Sequence, residues 1–180
     1  MNYRDELTKA MTMLAEDDRT IFIGQNLIYK GNMMFETLEG VPLEKRVELP
    51  IAEDMQLGMS IGLSLEGYIP VSIFPRMDFL ILATNQMVNH LDKIEEMSSG
   101  RFKPKVIIRT MIGATKPLYP GLQHCSDYTE ALRCFLKNVA VYKLDDAKYI
   151  LPAYKEALKS QRSSILIEIG DLYQPPHSKL

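Results

Sequence analysis

The chain has 180 residues, 46% of them hydrophobic and 24% charged, with a formal net charge of −2. That is enough apolar material for one ordinary core, and the near-neutral balance without a basic run argues against a nucleic-acid or membrane-surface role. No apolar run nears the ~20 residues of a membrane span. The charged start Met1-Asn2-Tyr3-Arg4-Asp5-Glu6 is not a signal peptide, and Cys125, Cys134 and three scattered histidines make neither a disulfide framework nor a metal-ligand cluster, so a reduced cytoplasmic protein is expected.

In chain order, Met1 to Glu16 has helical periodicity, with Leu7, Ala10, Met11, Leu14 and Ala15 on one face. Thr20 to Gly24 is a short apolar run ended by glycine, as a buried parallel strand is. Lys30 to Leu43 reads as a loop with a short helix, and Arg46 to Ile51 as a second strand. Met55 to Leu65 alternates like a strand, but Gly58 and Gly62, and Ser60 and Ser64, stand four apart. The reading is a helix whose small residues make a flat face that another helix can approach. Ile69 to Phe74 is a strand, and Phe79 to Met97 one long helix stopped at Ser98-Ser-Gly100. Lys105 to Thr110 is a strand and Gly113 to His124 a loop. Thr129 to Leu136 is a helix, Val139 to Tyr142 a strand, Asp146 to Ser160 a helix and Ser164 to Ile169 the last strand. The alternation predicts an α/β fold, a mostly parallel sheet with helices on both faces. A single domain over 1–173 and a frayed tail over 174–180 complete the organisation.

The common nucleotide and hydrolase signatures are missing: no Gly-x-Gly-x-x-Gly after the first strand, no Gly-x-x-x-x-Gly-Lys-Ser/Thr, no Gly-x-Ser-x-Gly. The informative stretch is Glu48 to Gly62, which sets Glu53 after a short apolar run at the mouth of the Gly58/Gly62 helix. A carboxylate there is either a helix-start residue favoured by the macrodipole or an acid held in a site.

This stretch resembles the pyrimidine-binding domain of thiamine-diphosphate enzymes (transketolase-like). The resemblance is closest to the beta chain of the decarboxylase component of 2-oxoacid dehydrogenase complexes. Further pieces are similar to that chain in the same order: Ile21-Phe-Ile-Gly24, Pro50-Ile-Ala-Glu53, Gly67-Tyr-Ile-Pro70, Asp78-Phe79 with Asn85-Gln-Met-Val-Asn89, Met97-Ser-Ser-Gly100, Val106-Ile-Ile-Arg109, Gln123-His124 and Asp146-Ala147-Lys148. The match runs to about Tyr173.

The resemblance implies roles. Glu53 would be the glutamate that hydrogen-bonds the cofactor's pyrimidine nitrogen, which requires partial desolvation; the plain reading is a helix-start acid. Phe79 would pack against the aminopyrimidine ring, and Ile51 line the same pocket; either could equally be core. His124 would be the active-site histidine that orients or protonates the substrate-derived group, work that suits this residue type; alternatively it is a loop histidine satisfied by backbone. Cys125 reads as a small buried residue. Two departures stand out. Gln25 replaces the acid that the family carries after the first strand, and Leu82 replaces a glutamine.

The family's Gly-Asp-Gly…Asn motif, which holds the diphosphate through Mg2+, has no match here, and the third domain of the beta chain is absent from this sequence. The resemblance therefore implies half a site, completed by a second polypeptide, with a heterotetramer as the family's habit. The expected activity is decarboxylation of a 2-oxo acid such as pyruvate and/or transfer of the C2 unit to an acceptor. Without the third domain the expectation leans to a stand-alone decarboxylase, carboligase or transketolase-like enzyme. The alternatives are a dehydrogenase-complex subunit and a non-catalytic assembly or regulatory partner.

Overall fold

The computed structural model describes residues 1–30 and 32–173; the tail expected over 174–180 lies outside them. Helix α1 (Tyr3–Ala15) is capped by the Asn2 side chain, which accepts the N–H groups of Arg4 and Asp5 at 3.0 and 3.3 Å. Its buried stripe is Leu7, Ala10, Met11 and Leu14. Strand β1 (Thr20–Gly24) follows, then the single-turn α2 (Met33–Glu36) and β2 (Arg46–Glu48), shorter than the six residues expected. Next come α3 (Glu53–Leu65), β3 (Ile69–Phe74) and the short α4 (Met77–Leu80) and α5 (Ile94–Met97). Strand β4 (Ile107–Ile112), α6 (Thr129–Phe135), β5 (Ala140–Leu144), α7 (Ala147–Lys159, capped by Asp146) and β6 (Ser164–Ile169) complete the set.

The strands form one sheet in the order β2-β1-β3-β4-β6-β5, and every neighbouring pair is parallel. Alternation along the strands divides the core. Val71, Ile73, Ile107 and Met111 face α1 and α7, whereas Phe74, Ile108, Ile165 and Ile167 face α3, α4 and α6. Helices therefore cover both faces, as the α/β reading expects. The strand order reverses between β1 and β3, which opens a crevice at their carboxyl ends, the usual ligand position in such sheets.

One expectation fails. Phe79 to Met97 is not one helix: α4 runs into a 3-10 turn (Ile81–Ala83), then a π-helical stretch (Gln86–Leu91), then α5. Local polar groups compete with the regular ladder, since Thr84 Oγ1 donates back to the Ile81 carbonyl and Asn89 to Asn85. The wider π turn also changes the phase of the buried face. Met87 and Leu91 stay inside and Asp92 joins them, accepting the N–H groups of Lys137 and Asn138 at 2.9 and 2.6 Å.

On the α1/α7 face, Arg109 of β4 and Glu168 of β6 form a fully buried ion pair at 2.6 Å. Tyr154 donates to the same carboxylate at 2.7 Å, and Tyr173 donates to its other oxygen. Nearby, Tyr3 donates to the Leu144 carbonyl at 2.6 Å. Burial first, then the Glu168 carboxylate, raises the phenols of Tyr3, Tyr154 and Tyr173 above their ordinary range. A raised folded-state pKa means that the unfolded chain releases these protons first. The stability they carry is thus complete below pH ~10, the ordinary phenol value, and falls above it by about 4 kcal/mol per pH unit for three groups. In an alkaline titration the phenolate absorbance of these three should appear only with loss of the helical signal. Titration of all nine tyrosines ahead of unfolding would contradict this.

Candidate functional site

Glu53 opens α3 at the carboxyl edge of the sheet. The chain leaves β2 with Leu49 N–H still bonded to the Gly24 carbonyl at 2.7 Å, passes Pro50 and Ile51, and turns into the helix at Ala52, which offers no side-chain cap. The Glu53 side chain points inward, leaving the residue 6% exposed, and its carboxylate has no hydrogen-bond partner among the described residues. Asp54 next to it is exposed and accepts a bond from Gln86 Nε2 at 3.2 Å. Two adjacent acids thus have different environments. Asp54 is a surface tether, while Glu53 is withdrawn from the surface at the first turn of the helix, where the macrodipole favours an acid.

The floor beside Glu53 is polar and buried. Gln56, one turn on, donates through Nε2 to Ser72 Oγ at 3.1 Å and the Ile73 carbonyl at 3.0 Å, and Ser60 joins Ser72 at 3.1 Å. Gln56 Oε1 and Gln25 Nε2 are both buried without a partner. A methyl on Gly24 would lie 2.3 Å from the Ile73 carbonyl oxygen, so only glycine lets β1 end this close to β3. Glu48 shapes the turn that follows, accepting the N–H groups of Asn26, Leu27 and Ile28 at 2.6, 2.6 and 3.0 Å. Ile51 is 81% exposed on this edge.

Phe79 and His124 meet in one cleft. Phe79 lies in α4 and His124 in the 3-10 turn Leu122–His124, and their rings pack edge to face with centroids 5.6 Å apart. The cleft, about 440 Å³, is walled by Asp78, Phe79, Leu82, His124 and Tyr128 among others. Its far wall is anchored at both ends. Asp171 accepts the Thr115 N–H at 2.6 Å and the Lys116 N–H at 3.2 Å, and Asp78 accepts the Ser126 N–H at 3.3 Å. Gly113 is required beneath, since a methyl there would lie 1.9 Å from the His124 carbonyl oxygen. His124 Nδ1 is buried without a partner. Desolvation pushes the Cys125 thiol up, the opposite of what a nucleophile needs.

The structure therefore brings Phe79 and His124 together, and Leu82 forms part of their cleft as an exposed apolar wall. Glu53 and Ile51 stand on the carboxyl edge but do not line that cleft. The small residues of α3 do not make one face: Ser60 and Ser64 are buried, while Gly58 lies against Gln86 and Gly62 is open. Positions two apart on a helix point in nearly opposite directions, so the two pairs separate. Sequence reading missed Gln56, whose role depends on contacts with two other strands, and Arg76, considered below.

No family model matches the chain. It is 29% identical over 182 residues to "Pyruvate dehydrogenase E1 component subunit beta, mitochondrial" of Caenorhabditis elegans, covering 96% of this chain and 49% of that protein. It is 26% identical over 144 residues to "3-methyl-2-oxobutanoate dehydrogenase subunit beta" of Mycobacterium tuberculosis (strain CDC 1551 / Oshkosh), covering 70% and 39% respectively. Among solved structures, a split-gene transketolase described as an inactive beta4 tetramer superposes with a TM-score of 0.71 at 20% identity, over 94% of this chain and 51% of that one. The chain spans about half the length of the first of these relatives and less of the second. By sequence the chain is a relative of the beta subunits of 2-oxoacid dehydrogenase decarboxylase components, and by fold it is transketolase-like.

Proposed function

We infer that this chain is the pyrimidine-binding subunit of a two-chain thiamine-diphosphate-dependent enzyme, with residues 1–173 as one domain and 174–180 as its tail. The reaction is decarboxylation of a 2-oxo acid such as pyruvate and/or transfer of the resulting C2 unit to an acceptor. The observation that carries this reading is Glu53: a largely buried acid with no hydrogen-bond partner for its carboxylate among the described residues, at the helix mouth on the edge where such sheets bind ligands. It fits a ligand that offers a ring nitrogen to hydrogen-bond, and the separate cleft of Phe79 and His124 fits a flat apolar body.

Thiamine diphosphate, when bound, supplies the nucleophilic carbon and the electron sink for loss of carbon dioxide from a 2-oxo acid. The residues of this chain do the rest. Glu53 holds a proton at the pyrimidine nitrogen, Phe79 and Ile51 exclude water from the ring, and His124 orients the substrate and exchanges a proton with it. Among the described residues no group of three or more His, Cys, Asp or Glu is placed to hold a metal ion. The proposal gives Mg2+ and the diphosphate to the partner chain, in a heterotetramer. The composition supports a cytoplasmic location, and among the described residues no helix is long and apolar enough to cross a membrane. The names of the relatives favour a second reading, a subunit of a 2-oxoacid dehydrogenase complex.

The test is to capture the tagged chain from its native extract and assay it with and without what accompanies it. The expected result is a stoichiometric partner bearing a Gly-Asp-Gly…Asn motif, retained with thiamine diphosphate and Mg2+. Decarboxylation should require both chains. A homomeric chain that holds no cofactor would overturn the reading. Acetyl transfer to a lipoyl domain would select the dehydrogenase-complex form.

A further inference from the structure

Arg76 stands two residues after β3, at the carboxyl edge of the sheet. Its side chain is half-buried, and its Nε is shut off from solvent without a partner among the described residues. Among the described residues its one hydrogen bond runs from Nη1 to the carbonyl of the preceding Pro75, at 2.8 Å. The other arginines withdrawn from solvent make several hydrogen bonds each, although Arg109 Nη1 is likewise buried without a partner among the described residues. Arg109 is held by Glu168 and Thr37, and Arg46 donates to the carbonyls of Leu27, Leu38 and Val41. Among the described residues no carboxylate pairs with Arg76. Asp78, the acid two residues on, accepts the Ser126 N–H instead. Burial works against the Arg76 charge, and the opposing influences of Cys125, Tyr173 and Asp78 do not restore it.

It does not line the cleft of Phe79 and His124 but packs against the histidine's backbone. A methyl on Gly113 would lie 3.1 Å from Arg76 Nε and 1.9 Å from the His124 carbonyl oxygen, so guanidinium and histidine backbone pack on the same glycine. Phe79, on the other wall, is three residues along the chain. An arginine that merely propped the His124 loop would donate to its carbonyls, and this one does not. A guanidinium is a planar fork matched to carboxylate and phosphate. We propose that Arg76 is the anion-recognising residue of this site and holds the carboxylate or phosphate of the substrate beside His124. The proposal rests on the thiamine-diphosphate reading for what the substrate is, and adds that it is recognised through an anionic group by this chain.

The test uses the full chain without thiamine diphosphate, so its failure leaves the cofactor reading standing, and failure of that reading leaves the titration interpretable. Pyruvate and inorganic phosphate are titrated separately at constant ionic strength, and the Arg76 Nε–H resonance, assigned by its loss in Arg76→Lys, is followed by NMR. The expected result is a saturable shift with at least one anion, accompanied by the amides of Gly113 and His124. Affinity should fall about ten-fold or more in Arg76→Gln, the scale of one charge-assisted hydrogen bond, and less in Arg76→Lys. A response to pyruvate alone assigns a 2-oxo acid, to phosphate alone a phosphorylated substrate, and to both a shared anion pocket; each supports the proposal. An Arg76 resonance unmoved by either anion in a well-dispersed spectrum overturns it, and so does unchanged affinity in Arg76→Gln.

Discussion

Glu53→Gln is expected to lower turnover of the two-chain enzyme by about 10²- to 10⁴-fold, the range for loss of a positioned proton-transfer group, while leaving assembly intact. Glutamine has the shape of glutamate and forms the first turn of a helix without difficulty, so neither α3 nor its packing on β1 and β3 should change. Stability separates the catalytic reading from the plain one. If Glu53 is only a helix-start acid, its loss removes a favourable interaction with the helix dipole, about 0.3–1 kcal/mol, and the rate stays where it was. If it is an acid kept for a ligand, its carboxylate has no hydrogen-bond partner among the described residues, so the amide gives up no such bond in the free chain. The variant should then be about as stable as the parent, and inactive. Urea unfolding of the chain and steady-state rates of the complex give the two numbers. A less stable but fully active Glu53→Gln would rule out the proposed role.

The fold was largely legible because its inner strands β1, β3, β4 and β6 are short and buried almost throughout, and such runs announce themselves. Thr20–Gly24, Ile69–Phe74 and Ser164–Ile169 end where turn residues end them. The stretch after Asp78 was not legible in the same way. Its apolar positions suit a helix throughout, and the π turn that breaks it brings Asp92 inward to the N–H groups of Lys137 and Asn138, 45 and 46 residues away. Local pattern carries no trace of such a partner. The candidate site divides likewise. Glu53 stood out because a strand, an acid and a small-residue helix follow one another directly. Arg76 and Gln56 had no motif, since what marks them is the absence or presence of partners from other strands. Arg109 and Glu168 were hidden for the opposite reason, each a single charge within an apolar run that reads as ordinary buried strand.

Removing that hidden pair one member at a time should have the largest effect on stability. Glu168 accepts from Arg109 Nε at 2.6 Å and Nη2 at 3.1 Å, from Tyr154 at 2.7 Å and from Tyr173, while Arg109 Nη2 also donates to Thr37 Oγ1 at 2.8 Å. These residues come from β4, β6, α7, the segment after α2 and the turn that follows β6, so the ion pair joins five parts of the chain. Burial disfavours the Arg109 charge, but the Glu168 carboxylate outweighs it and raises the guanidinium pKa, so the arginine stays charged. Glu168→Leu would leave that charge without a counter-ion and two phenols without an acceptor. The expected cost is about 3–5 kcal/mol, a large part of the roughly 5–15 kcal/mol that holds a domain together. The double variant Arg109→Leu/Glu168→Leu removes the stranded charge along with its partner and should recover much of the loss, because a buried pair is worth far less than either half alone. Equilibrium urea unfolding of the three proteins gives the coupling directly. A single variant within about 1 kcal/mol of the parent would mean that solvent reaches Arg109, against its complete burial. The functional consequence should follow from position: β6 leads through Gly170 to Asp171, which clamps Thr115 and Lys116 at the start of the segment carrying His124. Loosening β6 should therefore release the histidine wall of the cleft before it disturbs Glu53, whose helix packs on the opposite face of the sheet.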